Sequence, residues 1–294
     1  MSAGPKTVLV TGASGGVGRQ TVARLSDLGW RVFAGGRSEV ALRSLAGENV
    51  LPVELDISDP DSVAAARERV STEVGPAGLF GLVNNAGLSV DGPLELVPVE
   101  RLRQQFEVNV IGQLAVAQAF LPLLRLARGR IINIGGAAGS MALPMMGALG
   151  ASKAALDSVS DALRMELRPQ GVRVSYIEPG ALTTQLFVKS AQVVKQEGFA
   201  GTATELALYE SAIARMQAAM VKQKPTPVGA AADVIVRALT ASKPKPRYRV
   251  GSQARYVLPL LRRFPVGLRD RMIMSSLGLD AGRRAPADGA VSPG

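Results

Sequence analysis

The chain has 294 residues, of which 47% are apolar and 20% charged, a composition typical of a globular protein that can bury a sizeable core. It contains no cysteine and no histidine, which excludes disulfides, metal sites built on those residues, a thiol nucleophile and a Ser-His-Asp triad. The net charge of +10 belongs mainly to residues 243–284, which hold 11 Lys and Arg against two Asp. Because the rest of the chain is nearly neutral, we expect no nucleic-acid partner. No run of about 18 apolar residues and no signal-peptide pattern is present, so we expect no transmembrane helix and a cytoplasmic location.

Short apolar or β-branched segments alternate with amphipathic segments over the first part of the chain. The predicted strands are 7–11, 31–34, 50–54, 79–84, 130–134 and 172–177. The predicted helices are 16–28, 39–46, 61–74, 99–126 and 151–167. This alternation predicts an α/β fold, a Rossmann-type doubly wound parallel sheet with helices on both faces.

The alternation stops after Gly180. Residues 181–227 hold helical stretches without a strand, and we interpret them as a substrate lid on a domain that spans residues 1–252. Their many apolar side chains predict a hydrophobic substrate, such as a polyketide, a steroid or another lipid-like molecule. The alternative is that these side chains only pack the lid onto the body. A helix at 228–241 and a last strand at 248–250 lie between the lid and the C-terminal segments.

The C-terminal segments differ in composition from the rest. Residues 253–279 predict basic amphipathic helices that are split by Pro265, and residues 280–294 predict a disordered tail rich in Gly, Pro and Ala. A basic amphipathic helix can make a peripheral contact with an anionic membrane or dock to an acidic partner. It can equally pack on its own subunit with its arginines in water, and the sequence leaves both interpretations open.

A glycine-rich loop joins the first predicted strand to the first helix. It reads Thr-Gly-Ala-Ser-Gly-Gly-Val-Gly over residues 11–18. Glycines allow a tight turn and let backbone N–H groups approach a pyrophosphate, whose charge the helix N-terminus stabilises. The same loop would also suit a simple turn. Its position at the first strand–helix junction of an alternating chain favours a dinucleotide site.

Further motifs follow in order along the chain. They are Asp56-Ile57, Asn84-Asn85-Ala86-Gly87, Asn109, Ala151-Ser152-Lys153, and Pro179-Gly180 with Thr184. Together with the glycine loop they resemble the short-chain dehydrogenases/reductases. The resemblance implies a seven-stranded subunit with NAD(P) across the carboxyl ends of the strands. It also implies a homodimer or homotetramer formed through helices 99–126 and 151–167.

The resemblance also implies the site residues. Asp56 and Ile57 border the adenine, Asn85 to Gly87 line the cofactor, and Lys153 contacts the nicotinamide ribose. Asn109 and Lys153 are the expected catalytic residues, and no metal site is expected. The full cofactor-binding set is Gly12, Ser14, Gly16, Val17, Gly18, Arg37, Asp56, Ile57, Asn85, Ala86, Gly87, Lys153, Pro179, Gly180 and Thr184.

The end of the second predicted strand indicates the cofactor. An acidic residue there would bind the ribose 2′-hydroxyl of NAD. The chain instead has Ala34-Gly35-Gly36-Arg37. Arg37 could hold a 2′-phosphate through charge-assisted hydrogen bonds, and Arg19 could add a second positive charge. We therefore expect NADP(H).

Two positions depart from the family pattern. The family's proton donor is a Tyr four residues before the active-site Lys, and Leu149 occupies that position. The family's substrate-orienting Ser lies thirteen residues earlier, where this chain has Gly136. Losing one positioned acid typically slows a reaction by about 10²–10⁴-fold. Reduction by the usual mechanism should therefore be very slow.

Four interpretations are compatible with this departure. The chain is a divergent oxidoreductase in which Ser140, Tyr176, Lys153 or a water supplies the proton, or it is a non-redox cyclase, dehydratase or isomerase. It is otherwise a catalytically inactive cofactor-binding sensor or partner protein, or a deliberately inactivated variant. The intact cofactor motifs favour the oxidoreductase, an argument by analogy of fold.

Overall fold

A computed structural model of the protein describes residues 5–183, 198–222 and 225–280. Seven parallel strands form one sheet in the order β3-β2-β1-β4-β5-β6-β7. The strands are β1 (Thr7–Val10), β2 (Arg31–Gly36), β3 (Val50–Glu54), β4 (Gly81–Asn84), β5 (Arg130–Ile134), β6 (Arg173–Pro179) and β7 (Arg247–Val250). This confirms the predicted α/β class and its seven-stranded sheet.

Helices cover both faces of the sheet. In chain order they are α1 (Gly16–Asp27), α2 (Glu39–Arg43), α3 (Pro60–Val74), α4 (Val99–Phe106), α5 (Gln113–Leu126), α6 (Ala137–Ser140), α7 (Gly147–Leu167), α8 (Ala203–Lys222), α9 (Val228–Thr240), α10 (Leu258–Leu261) and α11 (Val266–Ser276). A π-helical turn, Glu107–Gly112, joins α4 to α5, so the predicted helix 99–126 is continuous but widened in the middle.

The sheet separates two hydrophobic cores. Side chains alternate between faces along a strand, so Val8 and Val10 of β1 enter the core shared with α1 and α9. Leu9 points to the opposite core, where Phe120 of α5 and Leu163 of α7 also lie. Helices therefore cover both faces of the sheet, as a parallel sheet requires.

The predicted boundaries hold to within a few residues. Strands 50–54 and 130–134 are found as predicted, and α3 begins one residue early because Pro60 takes the first helical position and Asp59 caps it. The largest difference is in α7, which starts at Gly147 rather than at residue 151. The additional turn carries Leu149 into the helix.

One helix passes a length and composition test for a membrane span. The most apolar 18-residue window of Val99–Leu126 reaches a mean hydropathy of 1.4. Core helices of soluble proteins pass the same test. Val116, Phe120 and Leu124 of this helix are fully buried against the sheet, which explains its apolar composition.

A third, smaller apolar cluster lies where the lid was predicted. Met141 precedes α7, Met216 belongs to α8, and Ile273 and Leu277 lie at the end of α11, and all four side chains are buried together. The parts of the predicted lid at 184–197 and 223–224, including Thr184, and the predicted tail from residue 281 onward lie outside the described residues.

Candidate cofactor and active site

The predicted site residues gather at one edge of the sheet. The strand order reverses between β1 and β4, which are neighbours although two strands separate them in sequence. The carboxyl ends of parallel strands lie at one edge, and a crevice opens where the order reverses. Gly12 follows β1, Asn85 follows β4 and Gly136 follows β5, so this edge holds the loops that the sequence singled out.

The glycine loop packs closely against the loop after β4. Gly12 has a φ of +61°, and a Cβ there would lie 2.8 Å from the Cα of Ala86. At Gly18 a Cβ would lie 2.3 Å from the carbonyl oxygen of Gly12. Both positions thus need glycine for steric reasons that are visible in this chain.

The N-terminus of α1 is free to bind an anion. Gly15 caps the helix without a side-chain acceptor, and the first turn holds no acidic residue. The first N–H groups of a helix have no partner within it, and the helix dipole favours negative charge there. Gly15 and Gly16 are exposed, so a pyrophosphate can approach the backbone. The loop therefore fits a dinucleotide.

Thr11 and Asn85 lock the two loops together. The Thr11 hydroxyl accepts hydrogen bonds from the backbone N–H groups of Asn85 and Ala86, each at 3.0 Å. The Asn85 side-chain amide donates to the carbonyl oxygens of Thr11 and Gly12, also at 3.0 Å. The side chain of Asn85 therefore serves the shape of the loop, which leaves Gly87 exposed at the crevice.

Asn109 lies in the π-helical turn and is fully buried. Its side-chain oxygen accepts from the N–H of Leu88 and its amide donates to the carbonyl of the same residue, both at 2.9 Å. The amide also donates to the Ser152 hydroxyl at 3.2 Å. Asn109 thus ties the loop after β4 to the helix that carries Lys153.

Gln105 and Thr11 are two residues that the sequence reasoning missed. Buried Gln105 accepts from the N–H of Val90 and donates to the carbonyl of Leu88 and to the Ser152 hydroxyl. A polar residue on the buried side of an amphipathic helix was the available signal. Thr11 begins the glycine motif, but nothing in the motif shows that its hydroxyl is an acceptor.

Lys153 projects from α7 to the end of β5. Its ammonium group donates to the carbonyl oxygen of Ile134 at 2.8 Å, and its side chain is buried. Burial disfavours the charged form and lowers the pKa of Lys153 to about 8. A Cβ added to Gly87 would lie 3.8 Å from Nζ, so the ammonium reaches the edge of the cofactor crevice.

Leu149 and Gly136 lie on the same side of the site as Lys153. Leu149 is one helical turn before Lys153 on α7, and its side chain is buried. Gly136 has extended backbone, with φ 174°, that any residue adopts. The nearest atom to a Cβ at Gly136 would be the Cγ of Lys153, at 3.7 Å, so there is room for a small side chain.

Ser140 and Tyr176, two of the proposed alternative proton donors, are already engaged. The Ser140 hydroxyl donates to the buried carboxylate of Glu178, which also pairs with Arg249 at 3.1 Å. The Tyr176 hydroxyl donates to the backbone carbonyl of Lys153 at 3.1 Å. Burial and then the negative charge of Asp157 raise the pKa of Tyr176 above its usual value. Both hydroxyls are therefore engaged in hydrogen bonds within the protein.

Arg37 borders a cleft beside the ends of β2 and β3. The cleft has a volume of about 470 Å³ and is lined by Arg37, Glu54, Asp56, Asp59, Asp61, Ser62 and Ala65. Arg37 is exposed and is the one basic residue of this lining. Burial would raise the pKa of Asp56, but hydrogen bonds from Ser58 and the charge of Arg37 outweigh it and lower that pKa.

The other predicted cofactor residues differ in what they expose. The side chains of Val17 and Ile57 are buried in the two cores. Ser14 is half-buried in the glycine loop. Pro179 ends β6, and the N–H of Gly180 donates to Val250 of β7 at 3.0 Å.

The chain belongs to the short-chain dehydrogenase family, whose sequence profile matches residues 6–194. The chain is similar to 3-amino-tetrahydro-pyrrolizinone reductase of Xenorhabdus hominickii, with 41% identity over 63% of this chain and 64% of that protein. It is 34% identical to 17-beta-hydroxysteroid dehydrogenase type 6 of Bos taurus, over 92% of this chain and 88% of the relative. The 11-beta-hydroxysteroid dehydrogenase type 2 of Oryctolagus cuniculus is 33% identical over 92% of this chain and 70% of the relative.

Solved structures agree with the fold. A short chain dehydrogenase from Burkholderia cenocepacia in complex with NADP superposes with a TM-score of 0.72 at 30% identity, covering 92% of this chain and 99% of that chain. A short-chain dehydrogenase from Streptomyces avermitilis gives a TM-score of 0.74 at 27% identity, covering 96% of this chain and 100% of that chain. The predicted family is thus confirmed.

The packing around Gly18 leads to a prediction about stability. A Cβ at Gly18 would overlap backbone atoms, so Gly18→Ala should lower the free energy of unfolding by about 1–3 kcal/mol, a typical cost of overpacking. The matched control is Gly16→Ala, because a Cβ there meets only Val228, at 3.5 Å. Urea unfolding of the three proteins would measure the difference. Equal stability of Gly18→Ala and wild type would contradict the packing of this loop.

Proposed function

We propose that the protein is an NADP(H)-dependent oxidoreductase that acts on a hydrophobic carbonyl or alcohol, with Lys153 as the source of the proton. The observation that carries the proposal is the buried Lys153 ammonium beside the crevice, with a pKa lowered to about 8. Relatives named as steroid dehydrogenases and a reductase support the reaction class. A structural neighbour bound to NADP supports the cofactor.

In this proposal the chain lacks the tyrosine that donates the proton and the serine that orients the substrate in the family. Leu149 and Gly136 stand at the expected Tyr and Ser positions, and the geometry supports this assignment because both adjoin Lys153. Ser140 and Tyr176 are committed to Glu178 and to a backbone carbonyl. Of the donors that the sequence suggests, only Lys153 and water remain.

Lys153 can act as a general acid in ketone reduction. A bound nicotinamide would supply the hydride to the carbonyl carbon. The ammonium has three N–H groups and donates one of them to the carbonyl oxygen of Ile134, so another can donate to the substrate oxygen. As the oxygen gains negative charge, Lys153 gives it a proton and becomes a neutral amine, which burial favours. Solvent then returns a proton to the amine. The alcohol thus gains the hydride on its carbon and the proton from Lys153 on its oxygen.

Apolar side chains near the site support a hydrophobic substrate. Leu143, Met145 and Met146 precede α7 and pack against the cluster around Met141 and Met216. Methionine side chains adapt to irregular apolar shapes. A steroid-like or polyketide-like ketone suits this surface better than a polar one.

The Arg37 assignment predicts a preference for NADPH over NADH. Arg37→Ala should weaken NADPH binding by about tenfold to a hundredfold, the value of a charged hydrogen bond, and leave NADH binding nearly unchanged. Arg168→Ala is the matched control, since Arg168 is exposed at the opposite edge of the sheet. Fluorescence titration would measure all affinities. Equal affinity of the wild type for both cofactors would refute the role of Arg37.

The role of Lys153 predicts a particular pH dependence. Only the protonated form donates, so the rate of reduction should be constant below pH about 8 and fall above it as the amine loses its proton. Oxidation of the alcohol needs the neutral amine, so its rate should instead rise towards a plateau above that pH. A reduction rate that stays flat through this range would argue against Lys153 as the acid.

Substitutions at Lys153 and Ser140 distinguish between these two residues as the proton donor. Lys153→Arg keeps a positive charge but cannot release a proton, so it should slow reduction by about 10²–10⁴-fold while NADPH still binds. Ser140→Ala is the control and should stay within a few-fold of wild type. The proposal fails if Ser140→Ala abolishes reduction and Lys153→Arg does not.

Restoring the missing hydroxyls should raise activity. In Leu149→Tyr/Gly136→Ser the new phenol lies one helical turn from Lys153, whose charge lowers the pKa of the phenol. Space beside Gly136 accepts the serine side chain. We expect steady-state reduction of a steroid ketone to rise on the order of 10- to 100-fold, within the effect of one added acid.

Leu149→Phe/Gly136→Ser is the matched control, because it adds the same ring without the hydroxyl. The gain should vanish in the triple variant that also carries Lys153→Ala. A folded double variant that binds NADPH and shows no gain would favour the non-redox interpretation, a cyclase, dehydratase or isomerase.

A further inference from the structure

The C-terminal helices α10 and α11 have an inner face that packs on the protein. Leu258 and Leu261 of α10, and Ile273 and Leu277 at the other helix, join the cluster of Met141 and Met216. The inner face therefore covers the segment that precedes α7. For this face the structure agrees with one of the two interpretations that the sequence left open, namely that the C-terminal helices pack on their own subunit.

The outer side of the same helices exposes large apolar side chains. Exposed fractions run from 41% to 70%, with Tyr256 at the upper end. We call this set the outer apolar face; its members are Tyr256 and Val257, in a π-helical turn directly before α10, Leu260 of α10, and Val266, Leu268 and Met272 of α11. Single exposed apolar residues are common, but six within residues 256–272 mark a surface that contacts something else.

The outer apolar face carries a strong positive charge. Residues 254–279 hold five arginines and one acidic residue, Asp270. Arg269 pairs with Asp270 at 3.6 Å. The other four, Arg255, Arg262, Arg263 and Arg271, are exposed, and no ion pair joins them to a carboxylate within the described part of the chain. Cations thus alternate with apolar side chains along residues 255–272.

We propose that the outer apolar face docks on an anionic lipid bilayer. Its apolar side chains would enter the boundary between headgroups and acyl chains while the arginines pair with lipid phosphates. This pairing matches both components of the surface. A basic surface for nucleic acid needs no exposed aliphatic side chains, and the face has a single aromatic, Tyr256.

A second copy of the chain is a poorer occupant. A two-fold interface brings the same patch of each subunit together. The four unpaired arginines of each subunit would then meet four of the same sign, and Asp270, which already pairs with Arg269, is the one carboxylate of residues 254–279. A bilayer that contains acidic lipid supplies the missing negative charge.

Co-sedimentation of the full chain with vesicles tests the proposal. We expect binding to vesicles of phosphatidylcholine mixed with phosphatidylglycerol, much weaker binding to pure phosphatidylcholine, and loss of binding in high salt. Arg262→Gln/Arg263→Gln should weaken binding by about tenfold to thirtyfold, since each arginine near an anionic surface contributes about a fivefold effect.

Two further double variants complete the test. Tyr256→Ser/Leu260→Ser should also weaken binding at unchanged charge, and both side chains are exposed enough for the fold to tolerate the change. Arg67→Gln/Arg69→Gln is the control, because it removes the same charge from exposed positions on α3 and should leave binding unchanged. Circular dichroism would verify that each variant is folded.

Three outcomes would overturn the proposal. The first is no binding to anionic vesicles. The second is an equal effect of the α3 control, which would mean that net charge alone acts. The third is binding that ignores Tyr256→Ser/Leu260→Ser and transfers to heparin, which would indicate an acidic macromolecule in place of a lipid surface.

Discussion

The side chain of Lys153 is buried at the carboxyl end of β5, and its ammonium donates to the carbonyl oxygen of Ile134. Among the described residues no carboxylate pairs with it, so burial is the cause of its lowered pKa. An unpaired buried cation is costly unless its environment holds it by hydrogen bonds. The elements around the site supply that environment, and the proton donation that we propose for Lys153 depends on it.

Several independent contacts hold Lys153 in place. The Tyr176 hydroxyl binds the backbone of Lys153, and a Cβ at Gly135 would collide with that hydroxyl at 1.9 Å, so glycine is required between β5 and the site. The hydroxyl of Ser152, the neighbour of Lys153, accepts hydrogen bonds from the side-chain amides of Gln105 and Asn109. These two amides also fix the backbone of Leu88. The cofactor crevice and the lysine are thereby positioned by one buried network.

Much of this arrangement follows from sequence, and some of it does not. The apolar periodicity of the sequence predicted β3 and β5 with the bounds that the structure shows. The glycine loop was recognisable from its composition, because tight turns and close backbone approaches leave few alternatives to glycine. The π-helical turn around Asn109 was not predictable, since it changes one hydrogen-bond step without changing the apolar pattern. The commitment of Ser140 to Glu178 joins residues far apart in sequence, and only the packed sheet brings them together.

Transfer of deuterium from NADPH labelled at the nicotinamide C4 to a hydrophobic ketone, such as a steroid 17-ketone, is the most direct test of the proposed redox function. We expect the product alcohol to carry deuterium on the carbon that bore the oxygen, detected by mass spectrometry, and its formation to slow in Lys153→Arg. Turnover of a hydrophobic substrate to an unlabelled product, with no NADPH consumed, would contradict the oxidoreductase function. It would indicate that this fold catalyses a non-redox reaction in this protein.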